Sequence, residues 1–221
     1  MIKEPDVALT DFALAAETAI LAWLLYRLKA PLSSLKTSFI GFFLFIGAAA
    51  ISGAVFHGFL NDQSTLSGSL WLNVMVFIGL AGYAAWRIGA LLLFSSRVAE
   101  WIDRLAFAAF VIYSLVVVFY SQSFVLAIVY YLPAVVLMTI GFAVQLKRRR
   151  DRAALLGTVG MLLTFVAAGV QHFGIALHPH YFNHNALYHL GQGIALLLIF
   201  FAARRFIADE VGLERRYRAE A

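Results

Sequence analysis

The sequence predicts an all-α protein, a bundle of seven transmembrane helices. Hydrophobic residues make up 62% of the 221 residues and charged residues only 13%, with a mean hydropathy of +0.85. A soluble domain is roughly half apolar and about a quarter charged. This surplus of apolar side chains therefore requires lipid as the solvent. The apolar residues also fall into seven long runs, and this pattern sets the number of helices.

Each run is long enough to cross the ~30 Å hydrocarbon core of a bilayer, which takes about 20 helical residues. The runs are continuous rather than alternating, so they predict helices and not the strands of a barrel. The segments between them are too short to hold a soluble domain, and no repeat is visible. We therefore interpret residues 1–221 as a single integral membrane domain. The predicted spans are 9–28, 38–59, 70–93, 101–120, 124–146, 154–177 and 185–206.

Basic residues mark alternate loops and so orient the bundle. The first loop carries Arg27, Lys29 and Lys36, and the fifth carries the run KRRRDR. The third loop and the C-terminal tail are also basic, whereas the second, fourth and sixth loops contain no Lys or Arg. By the positive-inside rule, the C-terminus is cytoplasmic and the N-terminus lies outside. We expect a multi-pass protein of a bacterial inner membrane, with the loops that lack basic residues facing the periplasm.

Charge and cysteine content exclude several classes of partner and site. The formal net charge is +5, but the basic residues form short clusters between apolar runs. That distribution favours the surface of the lipid bilayer as the partner and argues against nucleic acid. Cysteine is absent, so a metal would have to be bound by histidine or by oxygen ligands.

The histidines fall on the outer side of this topology. His57 closes the second span, His172 closes the sixth, His184 precedes the seventh, and His189 opens it. Polar and ionisable groups are costly inside a membrane, and by default they mark a functional site facing the bundle interior. The other polar residues predicted on this side are Asp11, Glu17, Ser52, Asp62, Asn73, Asn185 and Gln192.

Three imidazoles and an open position make a catalytic zinc site. We predict His57, His189 and one of His172 or His184 as the zinc ligands. A zinc-bound water has a pKa near ~7, so it supplies hydroxide at neutral pH. Candidates for a fourth ligand, a partner of the ligands or a general base are Asp11, Glu17 and Asp62.

Helical spacing places amide side chains around His189. Residues four apart lie about 40° apart around a helix, so Asn185 and His189 share a face that Gln192 continues. Together with Asn73 in the third span, these amides are predicted to hydrogen-bond to the metal ligands. Such partners fix the tautomer and orientation of a ligating imidazole.

Two short motifs carry a resemblance to a known family. SGAVFH, from Ser52 to His57, ends the second span, and NALYH, from Asn185 to His189, begins the seventh. This pattern resembles the alkaline ceramidase, progestin and adiponectin receptor superfamily, whose second and seventh spans bind zinc. Gly53 stands where that family has serine, and Asn185 stands where it has the first histidine of a pair. The resemblance implies a zinc-dependent hydrolase of lipid-like substrates such as amides, with Ser52 in the catalytic set.

Two other functional classes fit parts of the same pattern. His57 and His189 on facing helices would suit axial ligands of a b-type haem, in a cytochrome or quinone protein. The acids and amides on the same side favour a hydrated metal site instead. A metal-binding receptor or transporter without catalysis is the third interpretation. A retinal protein is not expected, because the seventh span contains no lysine.

Overall fold

The chain folds into seven α-helices, as the apolar runs predict. The computed structural model describes residues 2–60, 64–178 and 181–220, with the backbone alone for 211–220. All seven helices are long and apolar enough to cross a membrane, and the described residues form no strand. The predicted all-α, seven-helix fold class is therefore confirmed. The helices are α1 (Pro5–Arg27), α2 (Ser34–Phe59), α3 (Thr65–Leu93), α4 (Ser96–Phe119), α5 (Phe124–Arg149), α6 (Arg152–His172) and α7 (His184–Glu220).

Polar caps set the first residues of several helices, which begin before the predicted spans. The side chains of Ser33, Ser64 and Asp151 accept hydrogen bonds from backbone N–H groups in the first turns of α2, α3 and α6. Asn183 does the same for the first turn of α7. Serine, aspartate and asparagine are favoured at this position because they satisfy donors that the helix leaves unpaired. Hydropathy does not locate these residues, because they lie outside the apolar runs.

The sixth helix ends at His172, whereas the apolar pattern predicts a span to Leu177. Gly174 follows with a φ of +66°. This is the left-handed region, which glycine adopts without a Cβ clash and in which helices commonly end. Beyond it, the backbones of His178 and Phe182 pair in a short antiparallel bridge.

The helices form a ring of six with α4 outside it. Going around the ring, α1 packs on α2, α2 on α3, α3 on α5, α5 on α6, α6 on α7, and α7 on α1. The remaining helix, α4, packs mainly on α3. There the hydroxyl of Tyr83 donates to Asp103 at 2.6 Å, and Arg87 pairs with the same carboxylate at 3.0 Å. Aromatic side chains such as Phe39 and Phe142 fill the core of the ring.

The bundle has two chemically different ends. Helices α1, α3, α5 and α7 begin at the end where α2, α4 and α6 finish. We call this the histidine end, because His57, His172, His184 and His189 lie there. The opposite end carries Lys36 and the basic turn 147–152, and we call it the basic end. Which end faces the cytoplasm stays a prediction of the positive-inside rule.

Candidate functional site at the histidine end

One carboxylate of α1 is buried at the histidine end. The Asp11 residue is only 5% exposed, and its helix lies between α2 and α7. Removing a carboxylate from water is costly unless hydrogen bonds or an opposite charge compensate it. The groups that surround Asp11 therefore define the candidate site.

Asp11 and its neighbour Thr10 contact both nitrogens of one histidine of α7. The Asp11 Oδ1 atom lies 3.3 Å from His189 Nε2, and Thr10 Oγ1 lies 3.0 Å from His189 Nδ1. The side chain of His189 is 11% exposed. The first and last helices of the ring are thus joined through polar side chains inside the bundle.

The contacts of Thr10 indicate which nitrogen of His189 carries hydrogen. Its hydroxyl also lies 2.9 Å from the carbonyl oxygen of Asp6 and 3.0 Å from that of Val7. A hydroxyl has one proton to donate. When a carbonyl accepts that proton, the Thr10 oxygen accepts from Nδ1–H of His189. Nε2 and the Asp11 carboxylate then face each other as two acceptors, so one proton must lie between them. A neutral pair also avoids an uncompensated buried charge.

Glycines allow the carboxylates of α1 to approach the neighbouring helices. A Cβ atom at Gly53 of α2 would lie 3.0 Å from Asp11 Oδ2, and one at Gly193 of α7 would lie 2.7 Å from Glu17 Oε2. Asp11 thus occupies the space that a side chain at position 53 would fill. This is the position at which the resembled family carries serine.

His57 lies beside this pair but has a carboxylate of its own. Its Nδ1 is 2.6 Å from Oε2 of Glu4, the residue that precedes α1. The two side chains are 23% and 36% exposed, so this pair lies closer to the surface than Asp11. Gly53, four residues before His57 on α2, lies against Asp11, which contacts His189. The two histidines that the sequence singles out therefore lie at the same end of the bundle, each with its own carboxylate partner.

Hydrogen bonds connect the start of α7 to α1 and α6. The backbone N–H of Asn183 donates to Asp6 Oδ2 at 2.9 Å. Asn185 Oδ1 accepts from Gln171 Nε2 at 3.0 Å, so it links α7 to α6. Gln192 is 5% exposed, and its Oε1 has no hydrogen-bond partner among the described residues.

Four other predicted residues in the described part of the chain make no hydrogen bond to Asp11, Thr10 or His189: Ser52, Asn73, His172 and His184. Ser52 is buried and donates to a backbone carbonyl of its own helix at 2.8 Å. Asn73 is exposed on α3, and His172 is exposed at the end of α6. His184 is the first residue of α7 and is half-buried. Asp62 lies outside the described residues.

The described side chains do not converge as a metal site. Among them, no group of three or more His, Asp or Glu is placed to hold a metal ion. A catalytic zinc needs about three protein ligands. Here both nitrogens of His189 and Nδ1 of His57 already contact hydroxyl or carboxylate oxygens. This arrangement does not fit zinc, which stays a prediction from the sequence.

Glu4 and Asp6 belong to the site, although the sequence patterns single out neither. Both lie in the acidic segment MIKEPDVA before the first apolar run. The predicted topology could have pointed to them, because it places this segment and the histidines on the same side of the membrane. Spacing along the chain could not pair them, since their partners come from α2 and from the segment that enters α7.

Residues 7–208 match the profile of DUF6962, a family of unknown function. Because the match covers most of the chain and reaches all seven helices, the chain belongs to this family. The comparison with curated proteins gave no match.

Proposed function

We propose that the histidine end is an acid–base centre in which Asp11 and His189 hold one proton and exchange it with a substrate. The observation that supports this proposal is the buried 3.3 Å contact between the two side chains. A group that donates or accepts a proton in the transition state typically contributes 10²–10⁴-fold to a rate. Intramembrane ionisable groups are retained against their cost where they serve such a role.

The proposed reaction is hydrolysis of a lipid-like substrate, with an amide as the first candidate. Water adds to the carbonyl carbon, the C–N bond breaks, and the products are a carboxylic acid and an amine. The pair of Asp11 and His189 gives its proton to the departing nitrogen and recovers one from the attacking water. The centre therefore ends the cycle with the protons it started with, and it needs no oxidant or reductant.

An apolar groove between α1 and α2 supports a lipid-like substrate. Its volume is about 490 Å³, within the range of roughly 300–1,000 Å³ that is common for ligand sites. Small residues of both helices line it, among them Ala15, Gly47 and Ala48. Phe12, which also lines it, is the chain neighbour of Asp11. An acyl chain in this groove would place its polar end at the level of the centre.

Hydrolysis assays on purified protein test this proposal. The wild type is expected to hydrolyse a fluorescent acyl amide in detergent micelles, and Asp11→Asn and His189→Gln are each expected to lose at least ~100-fold of that rate. Asp103→Asn, which alters a carboxylate of α4, is the matched control and should retain activity. A wild type without acyl amide hydrolysis would refute the hydrolase. Full activity in both variants would refute the centre.

Treatment with a chelator distinguishes the proposed acid–base centre from the zinc site that the sequence predicts. Hydrolysis by the acid–base centre is expected to persist after dialysis against a chelator such as EDTA. Activity that is lost in EDTA and restored by zinc alone would support a zinc-dependent hydrolase instead.

Movement of protons through the bundle is a second candidate, and the position of Glu17 favours it. Glu17 lies near the middle of α1, and its carboxylate lies against Gly193 of α7. The adjacent Gln192 has a buried oxygen with no partner among the described residues. Carboxylates at such depth commonly belong to proton relays. Proton flux in liposomes should then fall in Glu17→Gln, while acyl amide hydrolysis stays unchanged.

A further inference from the structure

We infer that the turn between α5 and α6 binds the headgroup of an anionic phospholipid at the basic end. A surface cavity of about 390 Å³ lies at this turn. The residues that line it are Leu146, Lys147, Arg150, Asp151, Arg152 and Leu155. This site is remote from the histidine end, so it is independent of the proposed acid–base function.

Two charged groups at the turn already have partners. Asp151 accepts from the N–H of Ala154 at 2.8 Å as the cap of α6, and from Arg149 Nε at 3.0 Å. Arg149 also pairs with Asp209 of α7, and its guanidinium carbon lies 4.5 Å from the centre of the Phe206 ring. Arg149 thus holds α7 against the turn, and the charge of Asp151 is compensated.

The other three basic residues keep their positive charge around the cavity. Lys147, Arg150 and Arg152 are exposed, and no carboxylate in the described part of the chain pairs with them. Like charges around one cavity repel one another, so a bound anion stabilises the turn. Guanidinium groups match phosphate oxygens through paired N–H donors.

The apolar residues of the cavity favour a phospholipid over free phosphate. Leu155 is 47% exposed beside the basic side chains, and Leu146 lies on the other helix. The apolar helices α5 and α6 meet at this turn, so a membrane that both helices cross would place the cavity at its surface. A phospholipid has its phosphate next to the start of its acyl chains. This order matches a cavity in which basic side chains lie beside Leu146 and Leu155. A free phosphate would leave the leucines without a partner.

At Arg150, the effect of the positive charge on lipid binding can be tested without destabilising the backbone. It has a φ of 50° and a ψ of 36°, in the left-handed region where a helix usually ends with glycine. A side chain with a Cβ atom is strained in this conformation. Substitution of Arg150 by glycine therefore removes the cation while relieving the backbone.

Native mass spectrometry of the full chain in detergent tests the site. Phosphatidylglycerol is expected to bind more tightly than phosphatidylcholine with the same acyl chains. Each basic side chain near an anionic lipid contributes about fivefold to binding, so Lys147→Gln with Arg150→Gln should weaken phosphatidylglycerol binding about 25-fold. Arg97→Gln with Arg104→Gln removes equal charge near the start of α4, and it should leave the affinity unchanged. Arg150→Gly alone should lose about fivefold without a lower melting temperature.

Three outcomes would overturn the inference. Equal affinity for the two lipids would show that the headgroup charge is not recognised. Equal losses in the test and control double variants would show that total charge, rather than this cavity, attracts the lipid. Inorganic phosphate is the third arm, and it should not displace phosphatidylglycerol at millimolar concentration. If phosphate binds alone and displaces the lipid, the ligand is a free phosphate.

Discussion

Asp11 Oδ1 of the first helix lies 3.3 Å from His189 Nε2 of the last helix, inside the bundle. The contact closes the ring at the point where α1 and α7 meet. It also brings a buried carboxylate and a largely buried imidazole into contact at the histidine end. Thr10 contacts the other nitrogen of the imidazole, so both ring nitrogens of His189 face side chains of α1.

The two members of this pair are expected to depend on each other for stability. Substituting one partner, as in Asp11→Leu or His189→Leu, leaves the other buried without its hydrogen-bond partner, which costs about 1–3 kcal/mol. The double variant Asp11→Leu with His189→Leu should cost less than the sum of the two, by roughly 0.5–3 kcal/mol. Denaturation of the three variants in detergent measures this coupling. Strict additivity would contradict the contact.

Gly53 is expected to be essential for the position of Asp11. A Cβ atom there would lie 3.0 Å from the carboxylate, so Asp11 would have to shift by a few tenths of an ångström and its contact with His189 would change. Gly53→Ala should therefore lower acyl amide hydrolysis at least ~10-fold, as removal of an aligned acid–base group does. Gly68→Ala is the matched control, since a Cβ atom at Gly68 meets nothing within 4 Å. Equal activity of the two variants would show that the site tolerates a side chain at position 53.

The metal content of the purified protein distinguishes the predicted zinc site from the proposed acid–base centre. The predicted zinc site requires stoichiometric zinc in the wild type and its loss in both His57→Ala and His189→Ala. The acid–base centre requires no bound metal in any of the three. Elemental analysis of protein purified without chelators gives the result. An absorption spectrum of the same samples tests the b-type haem alternative, because a Soret band would identify haem.

The orientation of the bundle can be measured because the chain contains no cysteine. Ser121→Cys places a single thiol at the histidine end, in the exposed turn between α4 and α5. Arg148→Cys places one at the basic end. The positive-inside rule predicts that a membrane-impermeant maleimide labels only the first variant in intact bacterial cells. The reverse pattern would place the histidine end in the cytoplasm.

Lys36 is expected to contribute more to the stability of the fold than Lys29, the other lysine near the first loop. It is 2% exposed, and its Nζ donates to the carbonyl oxygens of Leu28 and Ala30, both at 2.9 Å. Lys36→Met removes both hydrogen bonds, each worth about 1.5–3 kcal/mol because the donor is charged. Lys29→Met, at an exposed position, should change stability by less than about 0.5 kcal/mol. Thermal unfolding in detergent compares them, and equal melting temperatures would contradict the role of Lys36.

Much of the fold follows from one-dimensional properties of the chain. Seven apolar runs had to become seven helices, because lipid offers no hydrogen-bond partner to the backbone. The ends of the helices were less predictable. Ser33 and Asn183 extend α2 and α7 beyond their apolar runs, and the turn at Gly174 shortens α6. These boundaries depend on individual hydrogen bonds and on one backbone conformation. Hydropathy carries no information about either.

Hydropathy and the basic loops are enough to predict a seven-helix membrane bundle with His57 and His189 at the same end. The groups that these histidines contact become visible only in three dimensions. His189 contacts Asp11 and Thr10, His57 contacts Glu4, and Asn73 and His172 are exposed. Hydropathy indicates only the depth of a residue in the membrane. The rotation of each helix and its choice of neighbours depend on packing, such as the approach that Gly53 permits.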